Sequence, residues 1–532
     1  MKRWNGWGDT EIYMSLSPGA KDLLVQKTGE GTPQKDSDME SVLSKVPESK
    51  LPEHPTISRD PRSRLLHARG QSMPDWIALR SGQISSFPDG VASPTDREQL
   101  QQVLDLAQKS ESVLIPYGGG TSVLGHINPR ETDRPVITLS LNRLNKMLDI
   151  NEKSRLATFQ SGILGPDLEN KLQKAGYRLG HFPQSFEYSS LGGWIATKSS
   201  GQQSFGYGRI DDLFCGGNVH TPQGELHLAV HPSSAAGPDL KQIILGSEGR
   251  IGILSEATVM ISPIPEVEQF YGMFLPHWEA AQKAVQYLAQ NQFPISMIRL
   301  SNAEETRSQL ALGGHDRLNQ YIKKYLKMRG INPEEACMLM LGFTGSKSGV
   351  KYAKSEVLPI LKGKFNAVNM HRFMGNAWDK TRFKAPYLRN TLWDEGYAID
   401  TLETAVTWDK VTQTMQAVED SLRYGLEDLG EKVHAFSHLS HFYTTGCSLY
   451  TTYCFRIAST PEETYSRWQR LKDAASRTII EQQGTISHHH GVGIDHRDYL
   501  AAEKTELGIS TLQSLCRHFD PRGIMNPGKL VE

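Results

Sequence analysis

Three consecutive histidines, His488, His489 and His490, are followed at once by Gly491 and Gly493. Imidazole titrates close to neutrality, so such a run can move protons or hold an anion. In an extended segment neighbouring side chains alternate faces, which puts two rings on one side and the third on the other. Diverging neighbours make a poor site for a single metal ion, and no metal is expected here. A polar surface run is the plainer explanation, but glycines directly after the histidines imply a constrained turn and favour chemistry. A second candidate is Pro116-Tyr117-Gly118-Gly119-Gly120-Thr121-Ser122, which follows the apolar run Ser112-Val113-Leu114-Ile115. A glycine-rich turn after a strand can aim successive backbone N–H groups at a phosphate, and Thr121 and Ser122 add hydroxyls. An ordinary tight turn is the alternative.

Two further glycine-rich stretches lie downstream, LGGWIATKSSGQQSFGYG at 191–208 and LGSEGRIGIL at 245–254. Three such turns in one region allow close backbone approach to one extended ligand. Three tight turns of a β-rich domain would read the same way. The elements around them alternate. Thr95 is placed to cap a helix running to Lys109. Val136–Leu141 and Leu156–Gln160 read as strands, and Pro166 opens a helix over Asp167–Ala175. The mixture predicts an α+β fold rather than a doubly wound sheet. The run G-G-G-T-S is not the dinucleotide fingerprint G-x-G-x-x-G.

Residues 28–61, rich in Lys, Glu, Asp, Ser and Pro, read as a solvated connector with one short helix over Asp38–Val46. Pro263-Ile264-Pro265 reads as a boundary. Beyond it come a strand at 273–275, a helix over Trp278–Asn291, strands at 296–300 and 338–343, and a helix over Glu356–Leu361. These predict an antiparallel-sheet domain. A last helix over Glu503–Phe519 leads into an irregular closing segment. The expected division is an arm and connector at 1–61, a ligand-binding domain at 62–265, a cap at 266–500 and a closing segment at 501–532.

Charge is balanced across the 532 residues, 58 Lys and Arg against 59 Asp and Glu, which gives nucleic acid no footprint. Five cysteines with no C-x-x-C pair argue against zinc or a disulfide framework and fit a reducing, cytoplasmic setting. No run approaches the ~18 apolar residues that span a bilayer, and no secretory or peroxisomal signal is evident. The stretch 371–393 interleaves Phe373, Trp378, Phe383, Tyr387 and Trp393 with Arg372, Lys380, Arg382, Lys384 and Arg389. It could rest on a membrane surface; an ordinary exposed segment explains it equally.

PYGGGTS, FGYGRIDDL at 205–213, LGSEGRIGIL and the closing FDPRGIMNPGK at 519–529 together resemble the vanillyl-alcohol-oxidase type of FAD-binding family. Within it the chain is most similar to the members that form the ether bond of ether lipids. That likeness is carried by WNGWGD, HFPQSFEYSSLGGWIATKSSGQ at 181–202, SMIRLSN at 296–302, PYLRNTLWDEG, YAIDTLETAVTWDKV, TTGCSLY and TISHHHGVG at 485–493. The resemblance implies a two-part FAD-binding domain, an antiparallel-sheet cap and a homodimer. It implies FAD held without a covalent bond, since the loop that carries a flavin-linked His in some members has neither His nor Cys. Flavin contacts are implied at Pro116, Tyr117, Gly118, Gly119, Gly120, Thr121 and Ser122. They continue at Gln184, Ser185, Phe186, Glu187, Tyr188, Ser189 and Ser190, and at Thr197, Lys198, Ser199 and Ser200. A last group is Glu248, Gly249, Arg250, Ile251, Gly252, Ile253 and Leu254. Gln184 and Ser190 stand where the family has Asp and Thr. Tyr450 matches the catalytic tyrosine, with His488, His489 and His490 beside it. Arg389 matches the arginine of the substrate phosphate and Arg299 another activity-linked arginine. Residues alone would make Tyr450 a packing tyrosine and either arginine an ion-pair partner.

The implied reaction is redox-neutral. Acyl-dihydroxyacetone phosphate exchanges its acyl chain for a fatty alcohol through a flavin N5 adduct. The alternative on this fold is an FAD-dependent dehydrogenase or oxidase of a 2-hydroxy acid.

Overall fold

The computed structural model describes residues 2–313 and 316–532. Among the described residues the first half builds two small sheets and a two-stranded ribbon of Tyr177–Arg178 with Ser262–Pro263. Val136–Ser140, buried along its length, lies parallel to Gly90–Ala92 on one side and to Val113–Tyr117 on the other. Ile57–Ser58 adds an antiparallel edge. Helix Arg97–Lys109 covers this sheet with Leu100, Val103, Leu104 and Ala107, a stripe at helical spacing. Its cap is Asp96, not Thr95. The helix begins one residue later than expected, so the Asp96 carboxylate accepts the Gln99 N–H at 2.8 Å while Thr95 donates its hydroxyl to Asp96. The second sheet is antiparallel, in the order Met147–Asn151, Leu156–Gln160, Ile253–Met260, Phe214–Thr221, Gly224–Leu228.

The cap is one seven-stranded antiparallel sheet. Its order is Val368–Asn369, Val267–Leu275, Cys337–Gly345, Met297–Ser301, His434–Phe442, Gly446–Arg456, Tyr397–Thr407. Helix Trp278–Gln290 buries Ala281, Ala284, Val285 and Leu288 against it. The helix expected over 356–361 is longer, Lys347–Phe365, and carries Pro359 inside.

One sequence expectation gives way here and a second stretch divides. The connector 28–61 is not a solvated tether. Val42 and Leu51 are buried, and Asp36 accepts a bond from buried Arg80 at 2.7 Å. Its acidic residues read as solvated because their cationic partner lies far along the chain. The basic and aromatic run 371–393 divides between an inward and an exposed part. Tyr387 and Trp393 are buried, Phe383 stacks on Phe186 at 5.0 Å, and Trp378 meets Phe270 at 4.9 Å. Arg382 lies 4.6 Å from the Phe182 ring centre and 4.8 Å from that of Phe383. This part of the run builds cation–π packing, while Arg372, Phe373, Lys380 and Lys384 stay exposed. Phe373 alone among these aromatics is exposed, at 57%. Among the described residues no helix is long and apolar enough to cross a membrane.

After helix Leu500–Phe519 the chain returns to the first sheet. Leu114 donates to the Ile524 carbonyl at 2.8 Å and accepts the Asn526 N–H at 2.9 Å. The Asp520 carboxylate takes the N–H groups of Ile524 and Met525. Ile524 and Met525 are fully buried. A chain cut after residue 519 should lose about 4 kcal/mol of burial and melt about 4 °C lower. A thermal scan checks this; an unchanged midpoint would contradict the closing role.

Candidate active site at the seam of the two parts

The three glycine-rich stretches meet. At Gly119 a Cβ would stand 1.5 Å from the Tyr188 carbonyl, and at Gly118 one would stand 2.3 Å from the Ser190 hydroxyl. At Gly249 a Cβ would stand 2.9 Å from the Pro116 ring, and the Glu248 N–H reaches the Ala196 carbonyl at 2.9 Å. Separate loops thus pack backbone to backbone, which only glycine permits at the tightest point. Ser190 caps helix Leu191–Thr197 by accepting the Gly193 N–H. Among the described residues, the N–H groups of Gly118 through Ser122 donate to no protein acceptor. The buried Ser200 hydroxyl and His181 Nδ1 also lack partners. Consecutive free amides with a nearby hydroxyl suit a pyrophosphate, so these residues fit FAD.

The other expected flavin contacts divide. Thr197 and Ser199 are occupied, by the Gly193 carbonyl and by His181. Lys198, in the left-handed region at φ 53°, pairs with Asp211. Ser122 bonds His126 at 2.6 Å, and Arg250 donates to the Met525 carbonyl. Gln184 donates to the Arg382 carbonyl. Phe186, Ile251, Ile253 and Leu254 place their side chains in the core, and buried Tyr117 packs on His67. Ser185 and Ser189 bond each other along the turn. Glu187 is half-buried, which raises its carboxyl above the usual range. Tyr188 meets the Tyr387 hydroxyl at 2.9 Å.

The histidines do not alternate. They wrap around Glu403, which is 1% exposed. Its carboxylate accepts the backbone N–H groups of His488 (2.5 Å), His489 (3.2 Å) and His490 (2.9 Å), together with the Ser487 hydroxyl (2.7 Å). Four donors on one carboxylate curl the backbone and turn the rings together: His488 Nδ1 and His489 Nδ1 lie 3.0 Å apart. Glu403 on Tyr397–Thr407 is the direct cross-strand partner of Tyr450 on Gly446–Arg456. Both therefore face the loop. The Tyr450 ring stacks between His438 at 4.8 Å and His489 at 5.9 Å, and its hydroxyl donates to Thr401 at 3.1 Å.

Burial holds the rings of His441, His488 and His489 well below the usual histidine range, with neighbouring rings and Arg209 pushing the same way. His490 is lowered by burial against the opposing pull of Glu403. The rings are neutral at pH 7 and can accept protons. Enclosure pushes Tyr450 up to about 12, so it enters as a phenol. Ring nitrogens of His441, His488 and His489 come within 4.8 Å of one another, as do ligand atoms of Glu403, His489 and His490. The expected divergence does not occur, so either trio has the spacing to take an ion. Arg209, whose Nη1 lies 3.4 Å from His488 Nε2, sets a positive charge beside the first trio.

Arg299 is engaged, donating to Glu305 at 2.7 Å with Nη2 3.2 Å from His438 Nδ1. Burial works to raise the Glu305 carboxyl, but His438 and Arg299 together bring it to about 2. Arg389 differs. It stacks over Trp76 at 4.3 Å and donates Nη1 to the Gln71 carbonyl at 2.5 Å, while its Nε and Nη2 are sealed from solvent with no partner. Burial lowers this guanidinium to about 10, against Asp400, Asp75, Tyr453 and Tyr450. A buried guanidinium face with no partner calls for an anion.

Several residues here carry no signal of their own in the sequence. Glu403 sits in an ordinary strand run. Asp495 is pushed up to about 7 by burial, and buried His496 has neither ring nitrogen bonded. Glu248, expected as a flavin contact, uses its carboxylate to accept the N–H groups of Val492 and Gly493.

Three converging glycine-rich loops under an antiparallel cap define a flavoprotein of the FAD-linked oxidase class. Residues 88–229 match the FAD binding domain model, and residues 264–530 match that of FAD linked oxidases, C-terminal domain. The chain is 31% identical to the alkyldihydroxyacetonephosphate synthase of Dictyostelium discoideum, over 99% of this chain and 93% of that one. It is 30% identical to the enzyme of the same name from Trypanosoma brucei brucei, over 99% and 92%. A solved alkyldihydroxyacetonephosphate synthase superposes with a TM-score of 0.84 at 28% identity, covering 99% of this chain and 98% of that one. The chain belongs to the alkyldihydroxyacetonephosphate synthase family. Its cofactor is FAD, and its class is transferase.

Gly119→Ala should weaken FAD retention at least about tenfold, because the backbone must leave Tyr188 to admit a methyl; fluorescence of released flavin reads this. Glu403→Gln should lower hydrogen-exchange protection of the 488–490 amides by about tenfold or more while leaving helix Trp278–Gln290 unchanged.

Proposed function

We propose that the protein exchanges the acyl chain of acyl-dihydroxyacetone phosphate for a fatty alcohol, forming the ether bond of an ether lipid. The observation that carries this reading is Arg389, a buried guanidinium with two unpartnered nitrogens on the same seam as Tyr450 and the histidine loop. Bidentate geometry suits a phosphate. In the overall exchange the bond from C1 to the acyl oxygen breaks, a bond from C1 to the alcohol oxygen forms, and a fatty acid leaves. The chemistry supplied by bound FAD is that of a nitrogen nucleophile at C1 with no net oxidation.

The chain's own groups supply the rest. Arg389 holds the phosphate and fixes the orientation of C1. Neutral His489 and His490 stand beside the Tyr450 ring and take the proton of the attacking alcohol. The Tyr450 phenol keeps its proton at neutral pH and donates a hydrogen bond to the departing carboxylate, while the proton taken from the alcohol leaves from the histidines to water. Arg299 and Glu305 fix His438, the ring on which Tyr450 stacks. Oxidation of a 2-hydroxy acid would call for an arginine pair on the carboxylate. Arg299 is committed to Glu305, which leaves Arg389 without a second arginine and favours the transferase. A homodimer and a peripheral membrane contact belong to the same reading.

FAD-loaded protein given palmitoyl-dihydroxyacetone phosphate and hexadecanol under anaerobic conditions should release an ether product with no net flavin reduction. Flavin bleaching by 2-hydroxy acids without ether product would overturn the proposal. Tyr450→Phe should slow ether formation by about a hundredfold. The rate of the unaltered protein should stay level from about pH 7 to 9, because Tyr450 is held protonated, and fall near pH 10 as Arg389 loses its proton. It should fall on the acid side only well below the ordinary histidine value of about 6.5, because the depressed rings charge late.

A further inference from the structure

The opening Trp4-Asn5-Gly6-Trp7-Gly8 is threaded between the helix that carries Arg389 and the first glycine loop. Trp7 donates its N–H to Asn390 Oδ1 at 3.0 Å and accepts a bond from Asn390 Nδ2 at 3.0 Å, both out of solvent. Gly6 and Gly8 admit this approach. A Cβ at Gly6 would stand 2.4 Å from Asn390 Oδ1, and one at Gly8, with φ at +76°, 2.3 Å from the Tyr387 ring. The Trp7 ring meets Tyr188 edge-on at 5.7 Å, and Lys2 Nζ donates to the Gly119 carbonyl at 3.0 Å.

The same segment reaches Arg389 by a second route. The Gly6 carbonyl accepts the Gln71 side-chain N–H at 3.3 Å. Gln71 Oε1 accepts the Trp76 indole N–H at 2.9 Å, and the Gln71 carbonyl accepts Arg389 Nη1 at 2.5 Å. Trp76 is the ring over which Arg389 stacks. The strap thus grips the residue that follows Arg389 on its helix and the residue that anchors its guanidinium. It bonds both and leaves Nε and Nη2 without a partner.

We infer that Gly6, Trp7 and Asn390 are positioning residues that aim Arg389 at the substrate phosphate, through Gln71 on one side and the helix Ala385–Asp394 on the other. The inference rests on the phosphate role of Arg389 proposed above. The strap also ties that arginine to Gly119, so the phosphate end of the substrate and the pyrophosphate end of the cofactor are held by one piece of backbone.

The test uses full-length, FAD-loaded protein in five forms: unaltered, Arg389→Ala, Asn390→Ala, Asn390→Asp and Gly8→Val. Calorimetric titration with dihydroxyacetone phosphate reads the site without turnover, and steady-state kinetics separate KM from kcat. Asn390→Ala and Gly8→Val should each weaken binding and raise KM by about tenfold, with kcat within about twofold and flavin content unchanged. Asn390→Asp keeps the acceptor for the Trp7 N–H and should show a smaller loss, which covers the case that Asn390→Ala does not fold. Unaltered affinity in Gly8→Val and in either Asn390 variant, or a fall in kcat at constant KM, would overturn the strap while leaving the phosphate reading intact. If Arg389→Ala binds dihydroxyacetone phosphate as well as the unaltered protein, both readings fall.

Discussion

A buried carboxylate in want of donors shapes this site. Glu403 has no lysine or arginine among its hydrogen-bond partners; backbone N–H groups of three consecutive histidines and one serine hydroxyl satisfy it instead. An uncompensated carboxylate in that position would be very costly, so the loop must close on it. Closure brings three imidazoles together at the place where the strand register puts Tyr450. Ring proximity and burial then keep the imidazoles neutral and the phenol protonated. The acid and base character of the site thus follows from one backbone-to-carboxylate contact and from the pairing of two strands.

The seam that carries this site is assembled from distant parts of the chain. The strap at the N-terminus, the helix Met73–Ser81, the loop 485–493 and the closing residues 520–532 all cross it. Arg80 shows how they are joined. Buried between the rings of Trp76 and Trp393, it bonds Asp36, Asp394 and Asn390. Glu248 holds the backbone after the histidines from the flavin side while Glu403 holds it from the cap side. Cofactor cradle and catalytic loop therefore share carboxylate anchors.

Much of this was legible in residue type and spacing. The glycine loops announced a phosphate cradle, and His488 to His490 with their trailing glycines announced a built turn. The alternation of strands and helices gave the α+β class. What stayed hidden was long-range. Nothing in L-E-T marks Glu403 as the anchor of a loop some 85 residues away. Asp36 and Arg382 gave no sign of burial because their partners, Arg80 for the first and the Phe182 and Phe383 rings for the second, are fixed only by the fold. The expected alternation of the histidines failed for the same reason: an extended segment was assumed, and a distant carboxylate bent it. Thr95 lost its capping role to Asp96 through a shift of one residue, a boundary that local pattern does not resolve.

The central claim is that Arg389 presents two open nitrogens to a phosphate on the seam beside Tyr450 and the histidine loop. The most direct measurement is a crystal structure of the FAD-loaded protein with dihydroxyacetone phosphate. The account predicts phosphate oxygens on Arg389 Nε and Nη2, with the three-carbon unit lying towards Tyr450 and His489. A phosphate bound elsewhere, with the same two nitrogens still without a partner, would contradict it.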